Sequence, residues 1–158
     1  SIYISCRIND FPRTAKEIAG IFSLDNTSAT KGCKNAVQIL NTFESQLDDS
    51  QKTKFCKTKP VSFIERYCSK LNINSELTKV CKFVAIRIDR NNLIPENTPQ
   101  SIAAGIIYFI AQVCNLAISK KDVNYVSGTS EVTINKCFKK LDVMKKQLIP
   151  SAIIEKYT

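Results

Sequence analysis

Ser119-Lys120-Lys121-Asp122-Val123-Asn124-Tyr125-Val126, then Ser127-Gly128-Thr129, then Ser130-Glu131-Val132-Thr133-Ile134-Asn135-Lys136-Cys137-Phe138-Lys139-Lys140-Leu141, reads as helix, break and helix. Ser119-x-x-Asp122 has the form of a capping box, in which a hydroxyl and an acid satisfy backbone N–H groups left unpaired by the first helical turn. In the second segment Ile134, Cys137, Phe138 and Leu141 recur at helical spacing and are read as core. A helix-turn-helix places its second helix in the major groove of DNA by that helix's N-terminal residues. Those residues here are Ser130, Glu131, Val132, Thr133, Asn135 and Lys136. Val132 and the Thr133 methyl can touch thymine methyls, and Asn135 can bond a base edge. Lys120, Lys121, Lys136, Lys139 and Lys140 can reach phosphates, contacts that supply affinity more than sequence choice. The same pattern also fits a plain core hairpin. Glu131 is unfavourable beside phosphate, although it can accept from cytosine N4 or favour the positive end of the helix.

The motif occurs twice. Ile2-Tyr3 returns as Ile107-Tyr108, and Thr14-x-Lys16-Glu17-Ile18-x-x-Ile21 returns as Ser119-x-Lys121-Asp122-Val123-x-x-Val126 at the same spacing. Cys33 returns as Cys137, one residue short of that spacing. Three matches in order imply duplication of a helical unit, complete in its second copy from Pro60 onward. The first copy holds only its last helices. The chain begins Ser-Ile-Tyr without Met, as if partway along an apolar helix, and is expected to be a piece of a longer protein.

Elsewhere, scarce Gly (4) and Pro (5) and periodic apolar stretches predict an all-α chain. Helices are expected at 1–8, 14–22, 28–43, 60–71, 75–91, 99–117, 119–126 and 130–147, with a last turn near 150–156. Thr98-Pro99 offers a hydroxyl cap followed by Pro at the first helical position. The stretch from Glu44 to Lys59, with Asp48, Asp49 and four lysines, reads as a linker. The expected organisation is therefore 1–47, the end of the first repeat; 48–59, a linker; and 60–158, the second repeat.

Composition narrows the function. Lys+Arg 23 against Asp+Glu 14 gives a net charge of +9, which suits a polyanionic partner. The chain has no His, which removes Ser-His-Asp and Cys-His catalysis. Seven cysteines are scattered without a C-x-x-C pair, so reduced thiols are expected, not disulfides or zinc. An enzyme is not expected. No secretory leader is visible, and the apolar run Ile102–Ile118 falls short of the ~20 residues of a bilayer span and carries Gln112 and Asn115, so it reads as a buried helix. No membrane partner is expected.

Five stretches in order carry a family resemblance: Ile2-Tyr3-Ile4-Ser5-Cys6-Arg7, Phe11-Pro12-Arg13-Thr14-x-Lys16-Glu17-Ile18, Phe63-Ile64-Glu65-Arg66-Tyr67-Cys68, Thr98-Pro99-Gln100-Ser101-Ile102-Ala103-Ala104 and Val132-Thr133-Ile134. Together they resemble the core domain of transcription initiation factor IIB, two cyclin-like repeats of five helices each. The resemblance implies that the repeats clamp TATA-binding protein on its bent promoter and help recruit RNA polymerase II. It implies that Arg13, Lys16, Lys31 and Lys34, in the first repeat, contact TATA-binding protein. A zinc ribbon is implied only for an N-terminal region that this chain lacks, so no cofactor is expected here. Where animal and archaeal members carry an Arg after Val-Thr-Ile, this chain has Asn135, which is better suited to adenine than to guanine. DNA binding with little GC preference is the expectation.

A first repeat without its early helices would expose an apolar patch around Ile4, Ile18, Ile21, Val37 and Leu40. Such patches rarely stay bare. A helix-exchanged homodimer, or residues preceding Ser1, would cover it. Two other functions fit the residues: the related factor serving RNA polymerase III, and a cyclin-box module that binds protein alone. A nuclear location is expected. Abundant Ile, Asn and Lys also fit a protist or a large DNA virus, and in a cytoplasmic virus the location would be cytoplasmic.

Overall fold

Caps and left-handed residues divide this chain into helices, and their positions repeat. A computed structural model describes all residues 1–158: ten helices and no strand. Ser1–Thr58 and Lys59–Thr158 form two compact units.

The first unit holds α1 (Ile2–Ile8), α2 (Ala15–Ile21) and α3 (Asn26–Phe43). The capping box at Thr14 forms as expected: the Glu17 N–H donates to Thr14 Oγ1 at 3.1 Å, and the Thr14 N–H donates to Glu17 Oε2 at 2.8 Å. α3 starts earlier than expected because Asp25 caps it, accepting from the Ser28 N–H at 2.8 Å. The stretch read as a linker packs back on this unit. The Glu44 carboxylate takes the Thr53 N–H at 2.8 Å and the Thr53 hydroxyl, and the Cys56 N–H donates to the Arg7 carbonyl at 2.9 Å. The Arg7 guanidinium lies 4.8 Å from the Phe55 ring centroid. Phe55 and Cys56, apolar residues set among lysines, are what the charge pattern concealed.

The second unit is built round α6 (Pro99–Val113), which is buried on all but a narrow stripe through Ser101, Tyr108 and Gln112. Ile102, Ala103, Ala104, Ile106, Ile107, Phe109, Ile110, Ala111 and Val113 are all buried. A helix of that kind belongs inside a bundle. α4 (Val61–Lys70), α5 (Ser75–Asn91), α7 (Lys120–Ser127) and α8 (Glu131–Val143) each pack against it. α6 and α8 meet so closely that a Cβ added at Gly105 would stand 2.4 Å from the Cys137 Cβ. α9 (Lys145–Leu148) and α10 (Ser151–Tyr157) follow, the latter held by Lys156 and Tyr157 bonding to Glu76 at the start of α5. All seven cysteines are free. No helix is long and apolar enough to cross a membrane.

Two expected helices are shorter. α6 stops at Val113, because Asn115 takes a left-handed conformation (φ 52°) and the Leu116 N–H returns to the Ala111 carbonyl at 2.8 Å. α8 breaks at Met144, and the turn beyond it buries Leu148 and Ile149. The Thr98 hydroxyl bonds Ser101 Oγ at 2.8 Å and does not cap a backbone N–H; Pro99 alone opens α6.

The internal repeat is visible in the backbone. Left-handed Asp10, Ser23 and the cap Asp25 in the first copy stand where Asn115, Gly128 and the cap Ser130 stand in the second, all at the spacing that relates Thr14 to Ser119. The Phe11 N–H returns to the Cys6 carbonyl just as that of Leu116 returns to Ala111. The chain is all-α, as expected.

Candidate nucleic-acid interface

The turn between α7 and α8 is over-determined by local bonds. Ser119 and Asp122 form the expected capping box, whose bonds from Ser119 hold the Asp122 carboxyl below its usual pKa. Gly128 closes α7 at φ 68°, a region that costs glycine nothing. The Asn124 amide donates to the Thr129 carbonyl at 2.8 Å, and Ser127 Oγ accepts from the Thr129 N–H at 3.1 Å while donating to the Val123 carbonyl. These bonds satisfy the buried polar groups at Ser127 and Thr129. Ser130 then caps α8.

With about 3.6 residues per turn, α8 has two unlike faces. Ile134, Cys137 and Leu141 are fully buried, and burial pushes the Cys137 thiol above its usual pKa. Directly opposite lie Val132, Lys136, Lys139 and Val143, all exposed. Val132 is 64% and Val143 88% accessible, unusual for branched apolar side chains on a solvent face. Lys136 and Lys139 make no hydrogen bond or ion pair within the chain, so their charges are available.

The other expected site residues are placed differently. Lys121 is exposed on α7, one turn from Tyr125, which is 90% accessible. Ser130 and Thr133 are engaged with each other: their hydroxyls lie 2.9 Å apart, and Ser130 also accepts from the Thr133 N–H. Ser130 thereby caps α8, and the bond takes up the Thr133 hydroxyl, not the methyl expected to meet thymine. Lys140 is taken by Glu96 and by Asn97 Oδ1 at 3.2 Å, and its ammonium holds the Glu96 carboxyl below its usual pKa. That makes it a tether of α8 to the segment before α6, not a free phosphate contact. Lys120 is half-buried; its Nζ lies 5.9 Å from the Tyr108 ring centroid and donates to Asn135 Oδ1 at 3.4 Å.

The residues expected to meet TATA-binding protein lie in the first unit. Arg13 is half-buried just before the α2 cap, Lys16 is exposed in the first turn of α2, and Lys31 and Lys34 are exposed one turn apart on α3. Sequence reasoning missed Val143 and Tyr125. Val143 continues the Val132–Lys136–Lys139 spacing, so carrying that face one turn further would have found it. Nothing in the chain forms a group of three or more His, Cys, Asp or Glu able to hold a metal ion.

Comparison with known proteins gives this geometry its context. Residues 53–144 match the family described as the transcription factor TFIIB repeat. A transcription initiation factor IIB-like protein of Acanthamoeba polyphaga mimivirus is 34% identical over 89% of the chain, covering 30% of that relative. Transcription initiation factor IIB of Oryza sativa subsp. japonica is 29% identical over 95% of the chain and 46% of that protein. That of Dictyostelium discoideum is 29% identical over 96% and 44% respectively. The chain thus spans less than half the length of these relatives, which are named as initiation factors and not as enzymes. Its matched repeat, its duplicated caps and its all-helical bundle make this chain a member of the transcription initiation factor IIB family.

Proposed function

We propose that the second unit lays the outward face of α8 in the major groove of promoter DNA, while the basic helices of the first unit hold TATA-binding protein seated on that promoter. The assembly would then bring RNA polymerase II to the start site, in the nucleus or in the replication compartment of a large DNA virus. The observation that carries this reading is the α8 stripe: two unpaired lysines between two exposed valines, diametrically opposite a buried seam. Lysines there neutralise phosphates and the valines offer methyl contacts to thymine, and an exposed stripe of this kind has no packing purpose within the unit. Arg13, Lys16, Lys31 and Lys34 supply the first unit's basic surface toward TATA-binding protein. The relatives are named as initiation factor IIB or IIB-like, in line with the family resemblance that implies polymerase II.

A gel shift with TATA-binding protein and a TATA duplex tests the reading. The wild-type chain should supershift the binary complex, and Lys136→Glu with Lys139→Glu should abolish the supershift while leaving the helical CD spectrum unchanged. An undiminished supershift removes α8 from the DNA. The second reading, a module that binds protein alone, draws on Phe83 and Ile86, which are 50% and 41% accessible on the outer face of α5. It requires that the α8 charge reversals leave every complex intact.

A further inference from the structure

α5 packs one face on the core of the second unit and leaves the other bare. Leu77, Cys81, Val84, Ala85 and Ile88 are buried. On the opposite face Lys79, Phe83, Ile86, Arg87 and Arg90 are all exposed, Phe83 by 50% and Ile86 by 41%. These five recur at intervals of three or four residues and so form one stripe, with the apolar pair at its middle and cations toward both ends. The side chains of Lys79, Arg87 and Arg90 make no hydrogen bond or ion pair within the chain, whereas neighbouring Lys82 is bonded to Glu65 on α4. No free carboxylate stands in the stripe. Glu76 is held by Lys156 and Tyr157, and Asp89 lies about a third of a turn round the helix from Phe83.

Single apolar side chains on a surface are ordinary. Two on successive turns of one helix, bracketed by unpaired cations, call for a cover, and the charge says which. A second copy meeting α5 by the same stripe would set like charges together. A nucleic-acid strand would satisfy the cations, yet Ile86 offers no aromatic face for a base to stack on. A helix bearing two apolar side chains, with a carboxylate one turn beyond each, suits the whole stripe. Its apolar pair packs on Phe83 and Ile86, and its carboxylates reach Lys79 at one end and Arg90 at the other, about 16 Å away along the axis. We propose that the outer face of α5 is a docking surface for an acidic amphipathic helix of a partner protein. The inference goes beyond the DNA reading and does not need it, because none of the five residues belongs to α8 or its turn.

The test titrates the whole 158-residue chain into a fluorescein-labelled helical peptide and follows anisotropy. The peptide carries leucine and phenylalanine on successive turns, with glutamate one turn outside each. Its glutamine counterpart and a single-stranded oligonucleotide of equal charge are the comparisons. The glutamate peptide should bind roughly tenfold more tightly than the glutamine peptide, through the opposite charges it brings. Phe83→Ser and Arg87→Glu should each weaken it roughly tenfold, as loss of a central anchor does at an interface, with the helical CD spectrum unchanged. Lys136→Glu with Lys139→Glu should leave peptide binding intact, which general attraction to a basic chain would not. Equal binding of the two peptides, or Phe83→Ser without effect, overturns the inference. An oligonucleotide held as tightly as the glutamate peptide, and weakened by Arg87→Glu, assigns the stripe to nucleic acid and overturns it as well.

Discussion

The two copies of the repeated unit share their local instructions and differ in what those instructions achieve. α1, α2 and α3 correspond to the end of α6, α7 and α8, with caps and left-handed residues at equivalent positions. In the second copy the result is a closed core: Phe109, Ile110, Val123 and Ile134 are fully buried. In the first, Ile18 and Ala19 are the buried apolar side chains among its helices, while Ile21 is 66% and Phe43 82% accessible. An open apolar groove of about 580 Å³ runs past Ile2, Ile4, Ile18, Phe22 and Leu24. The difference is the presence of α4 and α5, which cover α6 and have no counterpart within Ser1–Thr58. Capping bonds form between neighbours in sequence, whereas a core needs a second layer.

Truncations at equivalent positions separate the copies most sharply. Phe109→Ala should cost about 3–5 kcal/mol, the usual range for a fully buried aromatic. Its counterpart Ile4→Ala, on a half-buried groove wall, should cost less than about 1.5 kcal/mol. Urea denaturation followed by far-UV CD measures both, and equal costs would mean that the two copies are equally well packed.

Glycine substitutions come next. Gly105→Ala drives a Cβ against Cys137 and should cost about 1–3 kcal/mol, as overpacking does; Cys137→Gly in the same chain should recover part of it by removing the opposing atom. Gly32, in the middle of α3, has open space around its added Cβ, so Gly32→Ala should raise stability by up to about 1 kcal/mol through helix propensity. Melting temperatures moving the same way for both would contradict the observed packing.

The caps should behave alike. Asp25→Ala and Ser130→Ala each remove a side-chain acceptor from a helix N-terminus and should each cost about 1 kcal/mol. Unequal losses would mean that the repeat is not carried by its caps. Pairing of two copies across the first unit's groove remains our proposal for covering that face. Light scattering should then show a mass that rises with concentration, and a monomer mass throughout would rule it out.

The smallest effect is confined to α10. Hydrogen bonds from Lys156 and then Tyr157 hold the Glu76 carboxyl below its usual 4.5. A carboxyl with a lower pKa when folded stabilises above its unfolded value, and that contribution is lost as pH falls through the folded value. Protection of the Ser151–Tyr157 amides against hydrogen exchange, relative to their intrinsic rates at each pH, should therefore fall as pH drops beneath the usual carboxylate range, with little change in the α6 amides. Glu76→Gln should remove that pH dependence.

Much of this was readable residue by residue. Thr14-x-x-Glu17, Ser119-x-x-Asp122 and the break at Ser127-Gly128-Thr129 announce themselves because each depends on atoms three or four residues apart. Ile134, Cys137 and Leu141 announce the buried face of α8 by spacing alone. The site was less legible. Lys140 looked like its neighbour Lys139 until Glu96, far away in sequence, proved to be its partner. The hydroxyls of Ser130 and Thr133 bond each other, which the base contacts expected of Ser130 and the Thr133 methyl did not anticipate. The end of α6 was misjudged because the apolar run continues past Asn115, and hydropathy does not register a left-handed residue.

Alone, the amino-acid order determined the all-α class, the duplicated unit, the main helix starts and the face of α8 that turns inward, because caps and periodicity act over single helical turns. Tertiary structure decided which lysines stay available, that Lys120 bonds Asn135, and that residues 53–56 belong to the first unit. Those outcomes depend on side chains that folding brings together from distant parts of the chain, and no local pattern records them.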